Sequence, residues 1–202
     1  MGNNRISRDC SMAKGTFETK GPNLAASEVI PVEEVKLPKL ASFKFDGLRC
    51  SITEGSRPLT RSLKDIPNTY VRTVIMEANL PRGIDGELGV VSNDGSMDFR
   101  RSMSEIMSED GEPEFRYYVF DNFAYDGAYL SRYESLSKFA LPSWCIIAEQ
   151  REVATVEEIR AYYAEALSLG HEGLILREHH AAYKFGRSTA TSQDMLKMKP
   201  KR

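Results

Sequence analysis

The chain has 202 residues, 41% of them apolar, which is enough for one domain with a closed hydrophobic core. Its 27 lysine and arginine residues nearly balance its 29 aspartate and glutamate residues, and the formal net charge of -2 excludes the overall basicity that marks a nucleic-acid-binding protein by composition alone. No apolar stretch is long enough to span a membrane or to act as a signal peptide, so we expect a cytoplasmic protein without membrane contact.

The N-terminal part of the chain lacks the patterns of a folded segment. Residues 1–24 are polar and glycine-rich, and their apolar positions follow neither a helical nor a strand period. We therefore predict a flexible N-terminal tail over residues 1–24 and one folded domain over residues 25–202.

Two later segments have the pattern of a helix. The first begins at Val71, where apolar residues start to recur at helical spacing, and ends before Pro81. The second covers about residues 156–169, because Thr155 begins a capping box and Gly170 supplies a stop. Short segments rich in branched and aromatic residues predict strands at residues 48–52, 83–91, 115–123, 144–153, 172–177 and 195–199. This mixture predicts an α+β domain.

The first segment that carries chemistry is KFDGLR, which begins at Lys44. It places a lysine, the carboxylate of Asp46 and the guanidinium of Arg49 within six residues, with a glycine where the backbone must turn sharply or approach a ligand. A lysine becomes a nucleophile only after it loses its proton, which requires desolvation or cationic neighbours. The alternative is that Lys44 and Arg49 flank an ordinary surface strand, with Asp46 as an ion-pair partner.

Further charged and aromatic segments follow KFDGLR in a fixed order. They are RSLK from Arg61, DGEL with Glu87, FD from Phe120, EGLI from Glu172, and LKMK with Lys197 and Lys199. Over about residues 29–199 this set resembles the covalent nucleotidyltransferases, the superfamily of DNA ligases, RNA ligases and mRNA-capping guanylyltransferases. Within it, LASFKFDGLRCSI, TRSLKDIPNTYV and YKFGRS resemble the ATP-dependent DNA ligases of bacteriophages.

The resemblance implies an α+β nucleotidyltransferase (ATP-grasp-like) domain, in which two mainly antiparallel sheets are flanked by helices and enclose the nucleotide pocket. It implies that Lys44 forms a lysyl-AMP intermediate and that AMP passes to the 5′-phosphate of a nick before the 3′-hydroxyl seals it. The implied cofactors are ATP and Mg²⁺, and the implied partner is nicked duplex DNA. A phage-encoded enzyme of this kind would act as a monomer in the host cell cytoplasm.

Ligases of this family continue after LKMK with an OB-fold domain, whereas three residues follow Lys199 here, and we expect this chain to lack that domain. A separate OB-fold domain or chain is therefore an expected partner. We expect the chain to bind ATP and to carry AMP on Lys44, but to seal nicks poorly by itself.

The resemblance also assigns a role to each matching residue. The residues implied to bind ATP are Ser42, Phe43, Lys44, Arg49, Arg61, Glu87, Phe120, Glu172, Lys197 and Lys199. Lys197 and Lys199 would act with the nucleophile on the α-phosphate, while Glu172, and after it Glu87, would hold Mg²⁺.

At the other end of the nucleotide, Phe120 would stack on the purine, and Ser42 and the backbone of Phe43 would contact the adenine edge. Arg49 would hold the ribose. The residues implied to contact DNA phosphate are Arg61, Lys184 and Arg187.

Ordinary structural roles remain open for several of these residues. Phe120 could be core packing, Glu172 an exposed acid, and Lys197 and Lys199 part of a solvated basic run. The functional alternatives are an RNA ligase, an mRNA-capping guanylyltransferase, or a nucleotide- or DNA-binding module of the same fold without catalysis.

Overall fold

The computed structural model describes residues 21–92 and 97–200 of the chain. Residues 1–20 of the predicted tail therefore lie outside the described residues. The last residues of that segment are part of the fold, because Asn23–Leu24 form a strand that pairs in parallel with Gly186–Arg187.

The described residues form twelve strands, several of them short. Their bounds are β1 Asn23–Leu24, β2 Lys39–Phe43, β3 Leu48–Ile52, β4 Pro58–Thr60, β5 Ile84–Val91, β6 Met97–Asp98, β7 Phe115–Asn122, β8 Cys145–Ile147, β9 Arg151–Val153, β10 Leu174–Arg177, β11 Gly186–Arg187 and β12 Met195–Met198. Apart from the β1–β11 pair, these strands make up two sheets.

The larger sheet has the order β4-β3-β5-β7-β8, with β6 paired to β5. Its pairs are antiparallel except β7–β8. The smaller sheet has the order β12-β10-β2-β9 and is antiparallel throughout. The predicted architecture of two mainly antiparallel sheets is confirmed.

Four α-helices flank the sheets within the described residues: α1 Thr69–Glu77, α2 Phe99–Ile106, α3 Tyr129–Ser135 and α4 Val156–Ser168. The two longest begin at strong N-caps, as expected where backbone N–H groups would otherwise lack acceptors. The Asn68 side chain accepts a hydrogen bond from the backbone N–H of Val71 at 2.9 Å, and Thr155 forms a capping box with Glu158.

Each sheet has its own hydrophobic core. The larger sheet packs Ile52, Leu88 and Val119 against Ile75 of α1. The smaller sheet packs Leu176 against residues of α4 such as Ile159. The two cores leave a cavity between the sheets, lined by both charged and apolar side chains.

Both predicted helices are confirmed within two residues at each end, and the strand predictions hold with one exception. Residues 144–153 were predicted as a single strand, but Cys145–Ile147 belongs to the larger sheet and Arg151–Val153 to the smaller one. An alternating or apolar run predicts extended backbone, but it does not indicate which neighbour each half will pair with. The run here crosses from one sheet to the other.

We predict that Thr155→Ala lowers the free energy of unfolding by about 1 kcal/mol, because it removes the acceptor at the start of α4. The hydrogen bond that disappears joins the backbone N–H of Glu158 to Oγ1 of Thr155 at 3.1 Å. Urea unfolding of the two proteins measures the difference. Thr155→Ser keeps the acceptor and should remain within a few tenths of a kcal/mol of the original; equal losses for both variants would contradict the capping role.

Candidate functional site

A cavity of about 380 Å³ lies between the two sheets. All ten residues predicted to bind ATP line it, and the smaller sheet contributes its floor through β2, β10 and β12. The lining also includes Leu24, Ala25, Phe45, Gly47, Ile175, Arg177, Arg187 and Met195.

Lys44 directly follows β2 and is held by the backbone of the segment that contains Glu172. The backbone N–H of Lys44 donates to the carbonyl oxygen of Gly173 at 2.8 Å, and the N–H of Glu172 donates to the carbonyl oxygen of Lys44 at 3.2 Å. The side chains meet as well, because Nζ of Lys44 donates to Oε2 of Glu172. Nζ of Lys199 lies 3.6 Å from the other carboxylate oxygen. The Glu172 carboxylate therefore lies between two lysines.

Gly173 explains why these side chains can come so close. Its φ of +144° is strongly unfavourable for other residues, and a Cβ atom there would collide with the carbonyl oxygen of Met198 on β12. The glycine lets β12 pack directly beside Glu172. Lys197 and Lys199 are two residues apart on that segment and reach the same cavity.

The surroundings of Glu172 and Lys197 shift the pKa values of these two groups. Desolvation lowers the pKa of Lys197, and the nearby charges of Lys199, Arg187 and Lys44 lower it further. Desolvation raises the pKa of Glu172, but the hydrogen bond and charge of Lys44, with the charge of Lys199, outweigh it and the pKa falls below its usual value. The cavity therefore concentrates positive charge around one ionised carboxylate, an arrangement suited to a phosphate group.

Arg49 on β3 is fixed by a buried carboxylate on β5. Its Nε and Nη2 atoms donate to Asp85 at 2.7 and 2.5 Å, and Nη2 also donates to the carbonyl oxygen of Asn23 at 3.0 Å. Asp85 accepts two further hydrogen bonds, from the hydroxyls of Ser51 at 2.7 Å and Tyr183 at 2.6 Å. Although burial lowers the pKa of Arg49, the charge and hydrogen bonds of Asp85 raise it above its usual value. The guanidinium group is thus held rigidly and stays charged.

Phe120 on β7 lines the cavity opposite the floor, with 9% of its surface exposed. The guanidinium carbons of Arg49 and Arg177 lie 4.7 and 5.1 Å from its ring centroid. Phe43, in contrast, packs its ring on His171 with a centroid distance of 4.4 Å. The side chain of Phe43 is engaged in packing, whereas the predicted contact with the nucleotide involves its backbone.

Two of the three residues predicted to contact DNA line the cavity. These are Arg61 and Arg187, and Nη1 of Arg187 donates to the carbonyl oxygen of Ala25 at 2.7 Å. Lys184 is not among the residues that line the cavity. Arg61 and Arg187 are therefore available to a group bound in the cavity.

Burial raises the pKa of Glu87 on β5 to about 7, against the opposing effects of Arg49 and Lys44. The folded state therefore holds this proton more tightly than the unfolded chain, whose glutamate titrates near 4.5. Protonated Glu87 therefore makes its full contribution to the free energy of unfolding below pH 4.5. This contribution is lost as the pH rises through 7.

We predict that the original protein loses about 2 kcal/mol of unfolding free energy between pH 5 and pH 8, relative to Glu87→Gln, because glutamine cannot ionise. Urea unfolding at both pH values, without nucleotide or Mg²⁺, measures the change. Glu134→Gln alters an exposed glutamate on α3 and should show no such pH-dependent difference. A constant offset for Glu87→Gln at both pH values would rule out the proposed titration.

Several residues of the site were not predicted from the sequence. Arg177 ends β10 and lines the cavity, and Asp121 and Arg132 are buried beside it with side-chain exposures of 0% and 1%. Asp121 follows Phe120 directly, so its position in the FD segment was a usable signal. Arg132 lies on a short helix with no apolar period, and nothing local indicated its burial.

Known proteins share the fold of this chain. The family model described as "ATP dependent DNA ligase domain" matches residues 22–199. No curated protein matches the chain. Within residues 21–92 and 97–200, no helix has the length and apolar character needed to cross a membrane.

Solved structures of ligases are similar to the chain. The Chlorella virus DNA ligase-adenylate has 30% sequence identity and a TM-score of 0.76, over 88% of this chain and 68% of that chain. The chain thus spans about two thirds of that ligase. A Lig E DNA ligase has 25% identity and a TM-score of 0.71, over 89% of this chain and 68% of that chain.

The ATP-dependent DNA ligase from bacteriophage T7, solved in complex with ATP, has 20% identity and a TM-score of 0.66. It matches over 93% of this chain and 70% of that chain, and this likeness shows the fold alone. Together these similarities confirm the nucleotidyltransferase fold that the order of the segments implied.

Proposed function

The chain belongs to the family of ATP-dependent DNA ligase domains, and we propose that it is an adenylyltransferase in which Lys44 attacks ATP and carries AMP as a phosphoramide. The observation that supports this most directly is the meeting of Lys44, Glu172, Lys197 and Lys199 in one cavity. These residues come from three separate segments of the chain. If KFDGLR were an ordinary surface strand, we would not expect Lys44 to share a cavity with Glu172 and the two later lysines.

The proposed first step is a displacement at the α-phosphorus of ATP. The Nζ atom of Lys44, after loss of a proton, forms a bond to phosphorus, and the bond from phosphorus to the bridging oxygen breaks with release of pyrophosphate. In the second step an oxygen of the 5′-phosphate at a nick replaces Lys44 on the AMP phosphorus. In the third, the 3′-hydroxyl attacks that 5′-phosphate, AMP leaves, and a phosphodiester bond remains.

Phosphoryl transfer depends mainly on positioning and on neutralising the charge that develops on phosphate oxygens. Lys197 and Lys199 would do this at the α-phosphate, since both share the cavity with Lys44. Glu172 would also orient the ammonium group of Lys44, to which it is hydrogen-bonded.

The carboxylates of Glu172 and Glu87 fit Mg²⁺, which prefers hard oxygen ligands and is usually held by one or two carboxylates together with substrate phosphates. Both side chains line the cavity. Burial raises the pKa of Glu87, and a cation bound beside it would favour its ionised form. When bound, Mg²⁺ would shield the charge of the triphosphate.

The other residues of the cavity would hold the nucleoside and the DNA. Phe120 would stack on the purine, Ser42 and the backbone of Phe43 would contact the adenine edge, and Arg49 would hold the ribose. Arg61, Arg187 and Lys184 would contact DNA phosphate without reading sequence. Nicked duplex DNA is the proposed acceptor of AMP.

The experiment that tests this function is incubation with ATP labelled at the α-phosphate, in the presence of Mg²⁺, followed by intact mass measurement. We expect a mass increase of one AMP, which pyrophosphate should remove. With nicked duplex DNA, the label should move to the 5′-phosphate. Preferential labelling by GTP would favour a capping guanylyltransferase instead, transfer restricted to RNA ends would favour RNA ligation, and no adduct at all would contradict the enzyme.

We predict that Lys197→Ala slows adduct formation about 100-fold, because it removes a positive charge from the phosphate that reacts. Single-turnover adenylation at saturating ATP measures the rate. Lys138→Ala removes an exposed lysine outside the cavity and should leave the rate unchanged. A decrease of less than about threefold for Lys197→Ala would contradict the proposed contact.

A further inference from the structure

Two buried carboxylates face one another beneath the cavity. Asp85 on β5 and Asp121 on β7 are direct partners in the strand register, and both have 0% exposure. Each is paired with an arginine that lines the cavity, Asp85 with Arg49 and Asp121 with Arg177. Asp121 has a second arginine partner, Arg132, which does not line the cavity.

The register of the smaller sheet locates Arg177 along the cavity. Ile175 on β10 pairs with Lys197 on one side and Ser42 on the other, whereas Arg177 is two residues further along. At about 3.3 Å per residue, Arg177 lies roughly 13 Å from Gly173, where the Lys44 segment is attached. Since the lysines mark the phosphate end, Arg177 marks the opposite end. Phe120 is there as well, 5.1 Å from the guanidinium carbon.

Arg177 is held in place through Asp121. Its Nη1 atom donates to Oδ2 of Asp121 at 3.0 Å, and its guanidinium carbon lies 4.7 Å from the ring centroid of Tyr129. The side chain is 3% exposed, so the small open part faces the cavity that it lines. A guanidinium group with several N–H donors and a single hydrogen bond within the described residues is suited to contact a ligand.

Arg132 fixes the orientation of that carboxylate. Its Nε and Nη2 atoms donate to the two oxygens of Asp121 at 2.8 and 3.3 Å. Its Nη1 atom donates to the carbonyl oxygens of Gly127 at 2.7 Å and Ala181 at 2.9 Å. Arg132 thus ties Asp121 to two loops, and the Oδ2 atom to which its Nη2 donates is the same oxygen that accepts from Arg177.

We propose that Arg132 is a positioning residue for the base end of the cavity, which acts through Asp121 to hold Arg177 and Phe120 against the purine. The inference rests on the proposed function and adds two residues to it, Arg177 as a purine contact and Arg132 as its support. Without Arg132, Asp121 keeps a single charged partner and can turn, so Arg177 loses its fixed position. ATP would then have to fix the position of Arg177 when it binds, and this cost weakens binding.

This role predicts an effect on KM rather than on the maximal rate. The reacting atoms lie at the lysine end, and an interaction with the base is the same before and during the reaction. Arg132→Met should raise the KM for ATP in adenylation about tenfold and change the maximal rate less than twofold, as expected for a charge-assisted contact. Arg177→Met should raise KM at least as much. Arg132→Lys keeps one charge and should recover part of the loss.

Two comparisons separate positioning from a general loss of stability. Arg132→Met introduced into Arg177→Met should add little to KM, because both changes act through one contact. Lys39→Met breaks an ion pair of the smaller sheet, in which Nζ of the buried Lys39 lies 2.7 Å from Oε2 of the partly exposed Glu178. That control should lower the unfolding temperature and leave KM unchanged. The preference for ATP over CTP should fall in Arg132→Met but not in Lys39→Met.

An unchanged KM in Arg132→Met, an additive effect in the double variant, or an equal rise in Lys39→Met would each overturn the proposal. If Arg132→Met does not fold, the same measurement on Arg132→Lys tests the proposal, and we expect a smaller rise in KM. If the original protein forms no adduct, the proposed function fails instead. Calorimetric titration of ATP into Lys44→Ala, with and without Arg132→Lys, then measures the base contact independently of catalysis.

Discussion

Lys44→Ala is expected to abolish the AMP adduct and to reduce nick sealing by at least about 1000-fold. The alanine variant has no atom that can form the bond to phosphorus, and the remaining charged groups can only bind the nucleotide. The Glu172 carboxylate, which is hydrogen-bonded to Lys44, would retain Lys199 at 3.6 Å as a partner. The variant should therefore fold and still bind ATP. Intact mass measurement after incubation with ATP and Mg²⁺ follows the adduct, and calorimetry follows the binding.

Lys44→Arg is the matched control for this prediction. Arginine keeps the positive charge beside Glu172 but does not lose its proton in proteins, so it is no nucleophile. If Lys44 acts by forming the covalent bond, both variants are inactive. Substantial adduct formation by Lys44→Arg would mean that another residue accepts AMP, and the proposed chemistry would be wrong.

Asp85→Ala is expected to lower the free energy of unfolding by about 3–5 kcal/mol, because it leaves the buried charge of Arg49 without its partner. The carboxylate is fully buried and accepts hydrogen bonds from Arg49, Ser51 and Tyr183. Removing it also leaves two hydroxyl groups without their acceptor. Urea unfolding of the original protein and the variant measures the difference.

The chain offers an exposed pair of the same chemistry as a control. Arg57 and Asp65 form a bidentate ion pair with distances of 2.6 and 2.8 Å, but their side chains are 55% and 43% exposed. Asp65→Ala should therefore cost less than about 1 kcal/mol. Asp85→Asn keeps the shape of the side chain and should fall between the two. Equal losses for Asp65→Ala and Asp85→Ala would show that burial does not determine the cost.

Much of the site could be predicted from the sequence because its residues occur in short strings. KFDGLR joins the nucleophile to Arg49, and the alternation in LKMK places Lys197 and Lys199 on one face of a strand. Phe120 could be separated from ordinary core packing only by the aspartate that follows it. The order of the strings, rather than any one of them, indicated that they converge on one nucleotide.

What the sequence could not predict depends on pairing between distant segments. The contact of Arg49 with Asp85 requires the register of β3 on β5, which no local pattern specifies. Helix α2 was also missed, although Asp98 caps it by accepting from the backbone N–H of Arg101 at 3.0 Å. Its exposed face includes Phe99, which obscures the polar side of an amphipathic pattern.

The walls of the cavity come from widely separated parts of the chain. Leu24 and Ala25 lie near the start of the described residues, whereas Lys197 belongs to the last described strand and Lys199 directly follows it. During synthesis on a ribosome, Leu24 and Ala25 emerge before Lys197 and Lys199. The contacts between these distant segments therefore form last. A nascent chain that ends before Met195 would lack three of the residues that line the cavity, Met195, Lys197 and Lys199. ATP that binds through these lysines would therefore stabilise the complete fold by mass action.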